Sequence, residues 1–324
     1  MLSSLFQPCV YPSIGGDRFA ALIAREPMPH TRLALVGLPD DLGVRLNSGR
    51  AGASQGPASF RAALARFGTS FDARANATLP PIVCDLGDVA PAPGDGAGAL
   101  AATHERVTSA LLGVHRAGLI PVCIGGGHDL SFAAIRALAL HCGARVGGAS
   151  IDAHLDVRDT PGSGMPFRSL IDAGHVDPAR FSVLGVGRFS NAEQHTRWLD
   201  SCGGRTVLDE QFHRQPVAHL LTAIHRVVAP NVGSPLRSES MFVSFDLDSI
   251  DAAHAPGVSA LNPMGLTAAQ ASDLAYAAGA CVHVRHFDLM ELCPLHDDQG
   301  RTARLAGLLF LSFVAGFAAR RPAP

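Results

Sequence analysis

With 324 residues, 47% of them hydrophobic and 17% charged, the chain is long enough for a large soluble core; its formal net charge of −2 and lack of a basic stripe argue against a nucleic-acid partner. All 26 residues counted as Lys plus Arg are arginines, which excludes a Schiff-base lysine, a pyridoxal phosphate anchor and a Walker A lysine. The seven cysteines are scattered without a C-x-x-C pair, and no basic-then-apolar leader opens the chain, so a cytoplasmic protein with reduced thiols is expected.

Short apolar runs alternate with longer segments of helical period. The runs at 32–38, 82–87, 119–125, 146–154, 181–187, 240–248 and 282–292 read as strands. Helices are expected over 56–67, 99–117, 130–142, 217–228 and 267–279. The apolar stretch 305–319 is too short to span a bilayer and reads as a buried C-terminal helix. Near-continuously apolar strands alternating with helices predict a three-layer α/β/α fold with a mostly parallel central sheet. The Pro- and Gly-rich patch 90–99 fits a surface loop, and a single domain over 1–324 is expected.

In open α/β sheets ligands sit beyond the carboxyl ends of the strands. Four predicted strands lead there into ionisable residues: GGHD, DAHLD, DLD and a glutamate. Strand alternation would put Asp152, His154 and Asp156 on one face, and likewise Asp246 with Asp248. Crowded carboxylates without counter-charge are unfavourable, and no lysine is present to balance them. Four aspartates and two neutral histidines match the charge of two divalent cations. Oxygen-rich ligation with some imidazole suits Mn²⁺, and shared carboxylates suit a two-metal site. Taken singly, each motif has a structural reading: D-x-D as a cap or turn, H-x-D as a hydrogen-bonded pair, GGGHD as a turn with Asp129 as helix N-cap.

In this order the motifs GGGHD (125–129), DAHLD (152–156), SFDLDSIDAAHAPGVSA (244–260) and DLMEL (288–292), supported by SGRAGASQGPASFR (48–61), resemble those of the ureohydrolase superfamily of arginases and agmatinases from about Gly37 to the C-terminal helix. The resemblance implies a homo-oligomeric hydrolase, a trimer or hexamer, with two Mn²⁺ per subunit. By position, His128 would bind one metal and His154 the other. Asp152 and Asp246 would bridge, Asp156 would complete the first site and Asp248 the second. Asp156 would also shuttle a proton, and Glu291 would bind the substrate's amidine or guanidine nitrogen.

Arginases carry GGDHS where this chain has GGGHD, an asparagine where it has Arg158, and a histidine beyond the Ser-Gly pair that SGMPFR (163–168) lacks. GGGHD, DAHLDVR, SGMPFR and GVGRFSN (185–191) look instead like formimidoylglutamases, the histidine-degradation branch. Their substrate has an amidine carbon open to attack by a metal-bridging hydroxide and two carboxylates that call for cationic partners. Arg158 suits a bidentate carboxylate clamp; Arg188, Asn191 and Ser163 are further candidates for substrate contact, and Arg168 and Arg50 are open between substrate and structural roles. The alternatives are a guanidino-compound hydrolase of the agmatinase, guanidinobutyrase or arginase type on the same metals, and a non-catalytic binding protein on the same fold.

Overall fold

The structure, a computed structural model, describes residues 2–214 and 240–320. Eight strands, seven of them from the apolar runs, make up the main sheet: β1 (Leu33–Leu38), β2 (Val83–Asp88), β3 (Ile120–Gly125), β4 (Val146–Ile151), β5 (Val176–Val186), β6 (Arg205–Leu208), β7 (Met241–Asp246) and β8 (Val284–Met290). They form one sheet in the order β2-β1-β3-β8-β7-β4-β5-β6, and every pairing in it is parallel. The longer helices are α1 (Gly56–Leu64), α2 (Gly96–Arg116), α3 (Leu130–Cys142), α4 (Pro166–Asp172), α5 (Glu193–Cys202), α6 (Ala268–Ala280) and α7 (Arg301–Ala318). The helix expected over 217–228 lies outside the described residues.

The strands are apolar throughout because both sheet faces are covered. On β1, Leu33 and Leu35 join the core beneath α1, α6 and α7, with Phe60, Leu274, Phe310 and Phe313. Ala34 and Val36 point the other way, toward Val107 and Leu111 of α2 and Ala133 and Ala137 of α3. A third cluster packs α3, α4 and α5 around Phe167, Phe181 and Phe242. The apolar 305–319 stretch becomes part of an 18-residue helix, long enough by length and composition to cross a bilayer. Its Leu305, Leu309, Phe310, Phe313 and Val314 are instead buried in the protein core.

Three strands end sooner than the apolar pattern suggests, at Ile151, Asp246 and Met290. Each end lies at the metal-ligand motifs, where the chain leaves the ladder. The GGG of 125–127 serves close approach. A Cβ on Gly126 would collide with the backbone carbonyls of Asp40 and Leu38, and one on Gly125 with Met290. Asp129 does not cap α3 with its side chain; its Oδ2 pairs with His104 Nε2 at 2.7 Å. Because Gly126 faces rigid backbone, Gly126→Ala should cost about 1–3 kcal/mol or more. Its melting temperature should fall clearly below wild type, and an unchanged value would refute the close-packing account.

Candidate metal centre

Four neighbouring strands, β3, β8, β7 and β4, point their carboxyl ends the same way because the sheet is parallel. The loop after β3 carries His128. Glu291 follows β8, Asp246 ends β7, and Asp248 sits in the 3-10 turn Leu247–Ser249. The loop after β4 carries Asp152, His154 and Asp156. Strand alternation is therefore not what aligns these side chains. Their loops are shaped by local bonds: Asp152 Oδ1 accepts from His154 N at 2.7 Å, and Asp246 Oδ1 from Asp248 N at 2.7 Å. Asp156 turns back into the site through a left-handed backbone, φ 50°, and Glu291 does so at φ 64°.

Two donor sets result. His128, Asp152, Asp156 and Asp246 each offer one atom, all within 4.8 Å of one another, and so do Asp152, His154 and Asp248. Asp152 belongs to both. His128 Nδ1 lies 2.9 Å from Asp156, 3.0 Å from Asp246 and 3.2 Å from Asp152. His154 Nδ1 lies 3.1 Å from Asp248 and 3.5 Å from Asp152. His128 Nδ1, Asp152 Oδ2, Asp248 Oδ1 and Glu291 Oε2 are buried without a hydrogen-bond partner. Buried polar atoms are normally satisfied, so unsatisfied ligand atoms converging on two points fit a pair of cations. Hard oxygens with one imidazole per set suit Mn²⁺.

The charges say the same. Burial, then the negative neighbours Asp248 and Asp152, holds the Asp246 carboxyl well above its ordinary range. Burial and Asp152 push Asp156 upward. Burial also raises Asp248, with the Asp152 charge adding to it and His154 opposing. Burial would raise Asp152 too, but its close contacts with His128 and His154 outweigh it and bring it to about 2. Burial and then the Asp248 and Asp156 charges push Glu291 up to about 8, against the hydrogen bond His128 N donates to its Oε1 at 2.9 Å. The Asp248 charge, opposed by burial, raises His154. Without cations, protons fill the site; a divalent cation inverts that balance.

A cleft of about 280 Å³ opens over these residues, walled by Asn47–Arg50, Arg158, Ser163, Gly164, Ser259 and Ala260. Arg158 reaches it as an exposed side chain with no ion pair among the described residues, so it is not tied to Asp159. Ser163 also lines it, held from behind by Asn47, whose amide lies 3.1 Å from Ser163 Oγ. Arg50 staples the wall: Nε donates to Ser259 O at 2.8 Å and Nη2 to Val258 O at 2.6 Å. Two expected substrate contacts are placed elsewhere. Asn191 accepts from Leu155 N at 2.8 Å and donates to Ala153 O at 3.0 Å, so its amide is spent bracing the ligand loop. Arg188 is outside the cleft lining and pairs with Glu210 at 3.5 Å. Arg168 pairs with Asp172 at 2.6 Å and covers Trp198.

The arginase family model matches residues 31–316. The chain belongs to the arginase family. Among its relatives, a formimidoylglutamase of Halobacterium salinarum is 34% identical over 310 residues, covering 93% of this chain and 94% of the relative. A Trypanosoma cruzi formiminoglutamase solved with two Mn²⁺ superposes with a TM-score of 0.84 at 29% identity, covering 94% of this chain and 99% of that one. A proclavaminate amidino hydrolase of Streptomyces clavuligerus gives a TM-score of 0.79 at 26% identity, covering 95% and 98%.

This arginase-family centre also uses residues the motifs did not single out. Asn47 holds the Ser163 loop, and Ser244 and Asp288 lie behind His128; the strand pattern read Ser244 and Asp288 only as parts of motifs, because their partners sit on other strands. The raised carboxyl groups give a pH prediction. A group protonated in the metal-free site must lose its proton to bind, so Mn²⁺ uptake should release protons and apparent affinity should rise with pH. Calorimetry in buffers of different ionisation heat measures this; buffer-independent heats would contradict it.

Proposed function

We propose that the chain is a binuclear manganese hydrolase that converts N-formimidoyl-L-glutamate and water to L-glutamate and formamide. The observation that carries this reading is the pair of donor sets sharing Asp152, set beneath a cleft whose rim bears Arg158, which has no ion pair among the described residues. The names of its relatives support it. His128, Asp152, Asp156 and Asp246 would hold one Mn²⁺, and His154 and Asp248, with Asp152 and Asp246 shared, the other. Bound there, the ions would supply a hydroxide nucleophile at neutral pH and polarise the amidine.

The side chains divide the remaining work. Glu291 Oε2, free and beside the metal ligands, receives the amidine nitrogen as its carbon becomes tetrahedral. Asp156 is the most exposed of the four ligand aspartates, its side chain 13% accessible against 6% or less for the others. That places it to pass a proton to the departing glutamate nitrogen as the C–N bond breaks. Arg158 pairs with a substrate carboxylate, and Ser163 adds a hydroxyl. Arg188, directed to Glu210, is left out of substrate binding, and Asn191 acts through the loop it braces. The reaction belongs to histidine degradation in the cytoplasm, in a homo-oligomer.

The deciding assay compares formamide release from formimidoylglutamate with urea release from arginine and agmatine, each with added Mn²⁺. Formimidoylglutamate should be strongly preferred. Preference for a guanidino compound, the substrate class suggested by the amidino hydrolase neighbour, would replace this assignment. A charge-assisted hydrogen bond contributes roughly 1.5–3 kcal/mol, less where water screens it. Arg158→Ala should therefore raise KM about tenfold with metal content unchanged. Arg158→Lys should recover only part, since a point charge does not reproduce the planar fork. An unchanged KM in Arg158→Ala would remove Arg158 from substrate recognition.

A further inference from the structure

Behind His128 lies a buried polar network that the reaction above does not use. His128 Nε2 is 2.9 Å from Ser244 Oγ, and Ser244 Oγ is 2.7 Å from Asp288 Oδ1. The same Oδ1 accepts from Phe245 N at 3.3 Å. Oδ2 accepts from Ser131 Oγ at 3.1 Å and faces His286 Nε2 at 2.8 Å. Ser131, Ser244, His286 and Asp288 are all fully buried. β7 and β8 pair so that Ser244 and Asp288 stand opposite each other, and His286 precedes Asp288 by two residues on the same face.

The bonds have a direction. A serine hydroxyl carries one proton. Both oxygens of Asp288 are ringed by donors, and the Phe245 N–H can only give. The Ser244 proton therefore goes to Asp288, its shortest partner, in preference to Ser131 at 3.1 Å. Ser244 then has only lone pairs left for His128, so a neutral His128 must carry its proton on Nε2. That leaves Nδ1 as a lone pair, aimed at the point where Asp152, Asp156 and Asp246 converge. Placing a carboxylate in the middle of a sheet is costly unless it is fully hydrogen-bonded, and packing alone would be met by an apolar side chain.

We infer that Asp288, acting through Ser244, is a positioning residue that fixes the Nε2–H tautomer of His128 and thereby sets the metal affinity of the first donor set. His286 holds the far oxygen of Asp288 and keeps the carboxylate in register. The inference rests on the two-metal reading above and adds to it how one of its ligands is kept ready.

Equilibrium dialysis of Mn²⁺ against the whole protein tests it without reference to activity. Partners behind a metal-bound histidine typically contribute 10–100-fold in affinity. Ser244→Ala should weaken one of two bound ions by roughly that factor and leave the other as in wild type. Asp288→Ala should do the same in the wild-type background and add nothing in the Ser244→Ala background, because its effect is transmitted by the missing hydroxyl. A merely structural Asp288 would lower affinity in both backgrounds, and that additive result overturns the inference. So does a Ser244→Ala protein that binds both ions like wild type, which decides the matter even if Asp288→Ala does not fold. A wild-type protein that takes up no Mn²⁺ would instead remove the metal centre itself, and this inference with it.

Discussion

Four aspartates and a glutamate meet at one end of the sheet with only two imidazoles among them, most of them buried. Like charges at this spacing do not stay ionised together without a counter-charge. That one constraint accounts for the raised carboxyl groups, for the unpartnered ligand atoms and for the selection of divalent cations over a lone proton or a lysine. Asp152 is the most committed residue, fully buried and a member of both donor sets, with its charge maintained by the two histidines. The rest of the architecture serves to bring these acids together and to tolerate the result.

The centre and the cleft above it are built by different means. The floor comes from strand ends, where the parallel ladder fixes direction and the amides of His154 and Asp248 tie down one carboxylate oxygen each of Asp152 and Asp246. Left-handed backbone at Asp156 and Glu291 returns their side chains to the floor, strain of the kind that gathers at functional sites. The walls come from loops, held to one another by side chain to backbone bonds such as those of Arg50 with Val258 and Ser259. This separation lets a metal floor common to a family carry walls suited to different substrates. Arg158 puts a positive charge on the rim of the cleft.

Much of this was legible in the chain itself. Apolar runs located the seven strands anticipated from the pattern, and the eighth, Arg205–Leu208, was not anticipated because it is a short edge strand with partly exposed residues. The six residues of the two donor sets were recoverable because each falls at or just after the end of an apolar run, and local spacing reports on strand ends. Strand alternation does not align Asp152, His154 and Asp156, which lie beyond the strand end, and Asp156 owes its direction to a left-handed turn. The contacts of Asn191 with Leu155 and Ala153, and of Arg188 with Glu210, could not be read from the chain, because a polar side chain in a loop motif looks the same whether it meets a ligand, a backbone amide or another side chain.

What the sequence by itself determined is the set of chemical groups and their local placement: parallel α/β architecture from two-faced apolar strands, and acid and imidazole at the strand ends. Only the tertiary structure decided which strand ends would be neighbours. The order β3-β8-β7-β4 joins residues far apart in the chain, as in the bond from His128 N to Glu291, 163 positions away. It likewise set Ser244 opposite Asp288, and so gave His128 its support. The physical reason is that hydrophobic burial is non-directional: it specifies that a strand be covered on both faces, whereas strand order and register arise from the ladder as a whole.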